Sequence, residues 1–178
     1  MNYRDTLLTN ENLIKSTTNI FDGINGNYLL PSIKIAQDLD LESVIGTELL
    51  REIQRQVYNN NFKNIYKDLL DNYIISYLNY CTIVRLIPTL AYKISNAGVL
   101  RTDDEKMTSL SPNDIDKVRS EYVRIADVYK NRLQRYLIEN HNKFPELDAN
   151  STIDKIRQNL YSSATCGVVL GGARGRHI

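Results

Sequence analysis

Tyr66-Lys67-Asp68-Leu69-Leu70-Asp71-Asn72-Tyr73-Ile74-Ile75-Ser76-Tyr77-Leu78-Asn79-Tyr80-Cys81 opens the stretch whose periodicity decides the fold class. Apolar residues recur at Leu69/Leu70, Tyr73/Ile74, Tyr77/Leu78, Cys81, Val84, Ile87 and Ala91. Steps of three and four residues give an α-helix with one buried face, here sustained to about Ile94. Pro88 falls inside the pattern and predicts a kink over 84–88, because its ring removes one backbone bond. Gly98, after Asn96-Ala97, reads as the C′ stop.

Working outward, a helix of this length needs a partner. Ser111-Pro112-Asn113-Asp114 is a strong helix start: Ser caps, Pro takes the first turn and Asp114 complements the amino-terminal dipole. Ile115, Val118, Tyr122, Ile125, Tyr129, Leu133 and Tyr136 follow at alternating three- and four-residue steps, a coiled-coil-like stripe that packs on the 66–94 helix. Arg119, Arg124, Lys130 and Arg135 fall on the opposite face, read as a solvated surface. Phe144-Pro145 ends this helix after Asn140-His141, and 99–110 is a polar connector.

Upstream, Gly46 stops one helix and Thr47 starts another over 48–58, with Leu49, Leu50, Ile53 and Val57 on one face. Asn59-Asn60-Asn61 ends it. The helical part opens at Pro31-Ser32. Before it, Thr9 or Asn10 caps one or two helical turns, Ser16 to Ile20 reads as extended, and Asp22-Gly23 and Asn25-Gly26-Asn27 read as turns. Such an arm wraps a neighbour or packs along its own core. The fold class is therefore all-α: a helical bundle built on two long antiparallel helices. An irregular N-terminal arm (1–31) precedes a helical core domain (32–145). A short helix and linker (146–164, helix over 153–161) and an extended Gly/Arg tail (165–178) follow.

Composition narrows the chemistry. At 178 residues the chain is one domain plus appendages or at most two small domains, 42% hydrophobic residues suffice for a core, and a net charge of +1 excludes a strongly basic or acidic solvating protein. Twelve tyrosines against three phenylalanines suit half-wet helix–helix and subunit surfaces, but nucleotide bias explains the count equally well. Cys81 sits in the apolar helix as a small core residue, and Cys166 lies in the tail. No disulfide framework or metal spacing is readable. His141 and His177 have no ligand neighbours. A Cys166–His177 pair on a glycine-rich tail cannot hold catalytic geometry. Asp103, Asp104 and Glu105 lack calcium-loop spacing, and Asp38 and Asp40 read as solvent-facing. No catalytic, metal or cofactor site is expected. The amino terminus has no apolar leader, and the apolar run over 73–97 is broken by Ser76, Asn79, Arg85 and Lys93. A reducing cytoplasm, or a particle assembled there, and no membrane, is the expected setting.

The tail is the candidate functional segment: Cys166, Gly167, Val168, Val169, Leu170, Gly171, Gly172, Arg174 and Arg176. Its glycines are entropically costly to order, and the Val168–Leu170 triplet offers only a small apolar patch, so a partner surface is expected to give it shape. The run Gly171-Gly172-Ala173-Arg174-Gly175 lacks the strand and helix that a phosphate loop needs. Arg174 and Arg176 gain little on phosphates unless many copies act together.

Several local stretches together resemble the head–tail connector (adaptor) proteins of tailed bacteriophages, of the Bacteroides-infecting, crAss-like kind. They are Pro31-Ser32-Ile33 with Ala36-Gln37, Val44-Ile45-Gly46-Thr47-Glu48-Leu49, Tyr66-Lys67-Asp68-Leu69-Leu70 with Tyr77-Leu78-Asn79-Tyr80, Tyr92-Lys93-Ile94-Ser95-Asn96-Ala97-Gly98-Val99, and Tyr136-Leu137 with Asn140 and Phe144-Pro145-Glu146. The likeness spans 33–146. It implies a non-enzymatic virion protein at the head–tail interface, a homo-oligomeric ring usually of twelve copies. It also implies contacts with the portal and with the next tail or ring protein, and DNA passing through the lumen without sequence reading. The rival reading is a small helical nucleic-acid-binding regulator using Arg119, Arg124, Lys130 and Arg135.

Overall fold

A computed structural model describes residues 2–20, 23–95, 98–101, 111–148, 156 and 158–160. In chain order its helices are α1 (Glu11–Thr17), α2 (Gly26–Ile35), α3 (Glu42–Ile45), α4 (Thr47–Tyr58), α5 (Asn64–Leu69), α6 (Ile75–Ala91) and α7 (Pro112–Glu139). Two π-helical stretches, Ala36–Leu41 and Leu70–Ile74, join α2 to α3 and α5 to α6. The fold is all-α, with one small hairpin of β1 (Tyr92–Ser95) and β2 (Gly98–Arg101).

The rod Asn64–Ala91 is the central element. By length and composition it matches a membrane-crossing helix, yet half of its most apolar window is buried among neighbouring helices. Leu69, Ile74, Leu78 and Cys81 are fully buried in one core with Ile45, Leu49, Ile53, Leu133, Leu137 and Phe144. Burying each such aliphatic side chain stabilises by about 1.5–3 kcal/mol. A second, smaller cluster joins Ile14 of α1, Leu29 and Ile33 of α2, and Leu86 of α6.

The pairing of the 64–91 rod with α7 is lined by tyrosines. Tyr73 stacks on Tyr136 at 4.1 Å between ring centres, and Tyr80 on Tyr129 at 5.2 Å. The number rises on one helix as it falls on the other, so the two run antiparallel. Seven-residue steps on both sides keep the rings in register, as two helices meeting on a 3.5-residue period require.

The buried seam of α7 is displaced by one residue from the expected stripe. Val123, Ala126, Lys130, Leu133 and Leu137 line it, whereas Tyr122, Ile125, Tyr129 and Tyr136 sit half-buried at its edge and Val118 is 41% exposed. The edge suits tyrosine, since a ring can pack while its hydroxyl turns outward, as Tyr136 does in donating to Asp68 at 2.7 Å.

Several expectations at the ends of elements are corrected. The first 31 residues are not an irregular arm: α1 is capped by Asn10, and α2 begins at Gly26, with Asn25 as its cap and Pro31 inside it. Three buried amides hold this region to the core. Gln37 accepts from the Leu8 amide at 2.9 Å, Gln54 donates to the Arg4 and Thr6 carbonyls, and Asn79 bonds Thr9 and Thr17 at 2.6 and 2.7 Å. The arm thus packs along its own core. Leaving such amides unpaired would cost about 1–3 kcal/mol each, so the arm and the amides stabilise one another.

Helix α6 continues through Pro88 for one more turn and stops at Ala91, where Tyr92 turns extended (φ −131°, ψ 141°). Residues 92–95 are strand rather than helix, and Gly98 starts β2 instead of capping a helix. Asp40 is not solvent-facing. It is 5% exposed inside the first π-helical stretch and is clamped by the Arg85 guanidinium at 2.7 and 3.0 Å. Asp38 stays at the surface, paired with Lys34.

Candidate interaction surfaces

Three features of the surface are candidates for interaction: a backbone notch at Gly46, a cleft of mixed charge, and two outward faces on α2 and α7. The notch starts from backbone conformation. Gly46 has φ +82°, ψ 159°, outside the range that side chains favour, and it separates α3 from α4. The break frees the Val44 carbonyl and the Thr47 amide from helical bonding. Ile156 and Asn159 take them: Thr47 N donates to Ile156 O at 2.9 Å, and Asn159 N to Val44 O at 3.1 Å. The Thr47 hydroxyl accepts from the Ile156 amide at 2.8 Å, and Gln134 of α7 donates to the Asn159 carbonyl at 2.6 Å. Gln158 also donates to the Leu147 carbonyl.

A Cβ at position 46 would lie 3.0 Å from the Gln158 nitrogen and 3.2 Å from the Ile156 oxygen, so the close pairing needs glycine. The expected helix over 153–161 is therefore corrected where the structure describes it. Ile156 and residues 158–160 are not helical; Ile156 and Asn159 pair backbone to backbone with the α3–α4 junction. Leu160 and Leu147 both enter the main core, as does Leu8 from the amino-terminal region. Backbone pairing at Gly46 outweighs the weak helical face of Ile153, Ile156 and Leu160; Ile156 is 47% exposed.

The cleft, of about 450 Å³, is lined by Tyr3, Arg4, Glu48, Arg51, Glu52, Arg55 and Glu146. Three guanidinium groups face three carboxylates. Arg55 pairs with Glu52 at 2.5 Å and Arg51 with Glu48 at 3.7 Å, and Glu146 accepts from the Tyr66 hydroxyl at 2.9 Å. Burial, and then the Glu146 carboxylate, raise the Tyr66 phenol well above its ordinary range. Tyr136 is raised in the same way, by burial and then by Asp68. These phenols stay protonated as donors, and the three guanidinium groups and three carboxylates of the cleft balance in charge. Among the described residues no group of three His, Cys, Asp or Glu side chains is placed to hold a metal ion.

The outward face of α7 carries Glu121, Arg124, Val128, Asn131, Arg135 and Ile138 at steps of three and four, all exposed. Val128 is 58% and Ile138 39% exposed. On α2 and the π-helical stretch after it, Tyr28, Pro31, Ile35 and Leu39 form a second exposed stripe, with Leu39 at 57%.

Sequence-predicted residues fall as follows. Cys166, Gly167, Val168, Val169, Leu170, Gly171, Gly172, Arg174, Arg176 and His177 lie outside the described residues, as do Asp103, Asp104 and Glu105. Cys81 is a fully buried core thiol. His141 lies 3.5 Å from Asp148 at the surface. The four α7 cations do not share a face. Lys130 is 7% exposed in the inner seam and Arg119 is half-buried, while Arg124 and Arg135 point outward. At about 100° per residue, the first pair and the second lie roughly 140° apart. A continuous phosphate-tracking stripe is thus not formed by these four. The α2 stripe and the outward α7 face escaped sequence reading, although their three- and four-residue steps were the available signal.

Residues 41–157, two thirds of the chain, match the model of the family of unknown function DUF6712, and the chain belongs to that family. No curated protein and no solved structure matches it.

Proposed function

We propose that this chain is a structural virion protein: a subunit of the head–tail connector ring that joins the portal of a tailed bacteriophage to its tail. DNA passes through the lumen of the ring without being read. The protein works by binding rather than by making or breaking bonds. Its partners are further copies of itself, the portal, and the next tail or ring protein. Its place is the head–tail interface of the virion, after assembly in the bacterial host's cytoplasm.

The observation that carries this reading is the backbone notch at Gly46. Backbone pairs on both sides of Gly46 fix the chain at Ile156 and Asn159, and Leu160 is anchored in the main core. The segment 165–178, with Val168, Val169, Leu170, Arg174 and Arg176, follows this anchored residue closely in sequence. A glycine-rich segment of this kind binds by adding backbone hydrogen bonds and a few apolar contacts to a partner edge or groove. One such contact is weak; a ring of them is multivalent and strong. The sequence resemblance to connector proteins over 33–146 supports the same assignment.

The test uses purified portal rings and two forms of the protein, intact and ending at Leu160. The intact chain should be captured by the portal. The shortened chain should keep its helical circular-dichroism spectrum and lose capture. Equal capture of both forms would contradict the role given to the tail, and no capture of the intact chain would contradict the connector assignment.

A further inference from the structure

We propose that the small β-sheet is completed between copies: Val168-Val169-Leu170 of one chain pairs, as a third strand, along an open edge of the β1–β2 hairpin of its neighbour. This rests on the ring reading above and names the edge that the tail takes within the ring.

The hairpin is an unfinished sheet. Its register runs from Tyr92↔Arg101 to Ser95↔Gly98 and pairs the backbone groups that face inward between the strands. Among the described residues no third strand lies on either outer edge. Two strands alone are marginally stable in water, and a third makes a self-supporting sheet. An outer edge is a row of backbone donors and acceptors, and the group that satisfies such a row is another extended backbone. The chemistry of the edge therefore asks for a strand.

The sequence supplies one outside the helices. Val168-Val169-Leu170 stands between Gly167 and Gly171-Gly172, with two adjacent β-branched residues and no proline. β-branched residues suit a strand, and the absence of proline leaves every backbone donor in place. With Gly167 the segment is four residues long, the length of β1 and of β2.

Reach assigns this segment to a neighbour. The last anchored residues are Asn159, held by Gln134 of α7, and Leu160 in the main core. The hairpin begins at the far end of α6. Tyr73 stacks on Tyr136 and Tyr80 on Tyr129, and the same count sets Tyr92 level with Lys117. From Gln134 to Lys117 is about 25 Å of helix. The seven residues from Leu160 to Gly167 span at most about 25 Å when fully extended. Within one copy, only a tail drawn straight along the bundle would touch the foot of the hairpin, with no slack to lie beside its strands. A neighbouring copy brings its hairpin to the tail without that stretch. Each copy then gives a strand to one neighbour and takes one from another, a heterologous contact that closes into a ring when the rotation permits.

The test uses the full chain, wild type and Val169→Pro. It reads oligomer mass by native mass spectrometry and hydrogen exchange at the amides of 92–95 and 98–101. Proline removes a backbone donor from the added strand, and circular dichroism checks that the helices are unchanged. Wild type should form oligomers whose hairpin amides exchange at least about tenfold more slowly than those of Val169→Pro, and the variant should associate at least about tenfold more weakly. A synthetic peptide of residues 165–172, added to Val169→Pro, should restore slow exchange in the hairpin without restoring assembly. Equal exchange in wild type and variant, or a peptide that leaves exchange unchanged, would overturn the proposal. So would slow exchange that persists when wild type is diluted to monomers, since the segment would then pair within its own chain. Assembly of Val169→Pro at wild-type strength would remove this contact and leave the ring reading standing. Absence of portal capture by wild type, with the exchange results as expected, would sink the connector reading alone.

Discussion

Helix α7 carries two seams with the same spacing and opposite fates. Val123, Ala126, Lys130, Leu133 and Leu137 face inward and are buried, whereas Glu121, Arg124, Val128, Asn131, Arg135 and Ile138 face outward. The inner seam holds the fold: Ala126, Leu133 and Leu137 enter the main core with Leu78 and Cys81 of α6, and Gln134 beside them bonds the Asn159 carbonyl. The outer one carries apolar side chains that the monomer does not cover. The difference teaches that helical period identifies a packing face but not what it packs against. Only the neighbours that reach a face decide whether it belongs to the fold or to an assembly.

Substitutions that separate the seams should differ in kind as well as in size. The largest loss of stability is expected for Leu133→Ala, which empties a fully buried site in the inner seam: about 2–5 kcal/mol in urea unfolding. Next is Gly46→Ala. It forces an alanine to φ +82° and presses a Cβ on Gln158, with an expected cost of about 1–3 kcal/mol. Hydrogen exchange at the Thr47 and Asn159 amides should rise more than exchange in α6. Uniform change across the molecule would argue against a local notch.

Tyr136→Phe should cost about 1–2 kcal/mol, since it removes a phenol donor from a carboxylate. Its pH dependence is the sharper readout. The folded phenols of Tyr66 and Tyr136 are raised above the unfolded value near 10. Their contribution is therefore whole below pH about 10 and falls as pH climbs beyond it, because the unfolded chain releases those protons first. Tyr136→Phe should flatten part of that alkaline decline in urea titrations; an unchanged slope would mean that the phenol titrates alike in both states. The smallest effect on stability belongs to the outer seam. Val128→Ala should change unfolding by less than about 0.5 kcal/mol.

Much of the fold was legible in the residues. Sustained apolar steps gave both long helices, and Ser111 was identified as the cap of α7. It accepts from the Asp114 amide at 3.2 Å while its hydroxyl donates to the Asp114 carboxylate at 2.6 Å. Gly46 as a stop and the asparagine run after Tyr58 were equally readable; Asn60 takes φ 49° there. The π-helical stretches were not, because moving a hydrogen bond by one residue leaves no compositional mark. The burial of Asp40 was missed for a related reason: its partner Arg85 lies 45 residues away. Lys130 was assigned to the solvated face by residue type, although its position on the helix belongs to the inner seam. The strand-like pairing of Ile156 and Asn159 depends on backbone groups freed at Gly46, and side-chain periodicity does not report those. The candidate site was less legible than the fold. The tail residues stood out by composition, while the outward faces carry ordinary residues whose meaning comes from what fails to cover them.

The central claim is the proposed one, that copies of this chain assemble into a closed ring. Native mass spectrometry of the full 20.5 kDa chain tests it most directly. The account predicts closed oligomers of a single size. A chain that stays monomeric would contradict it.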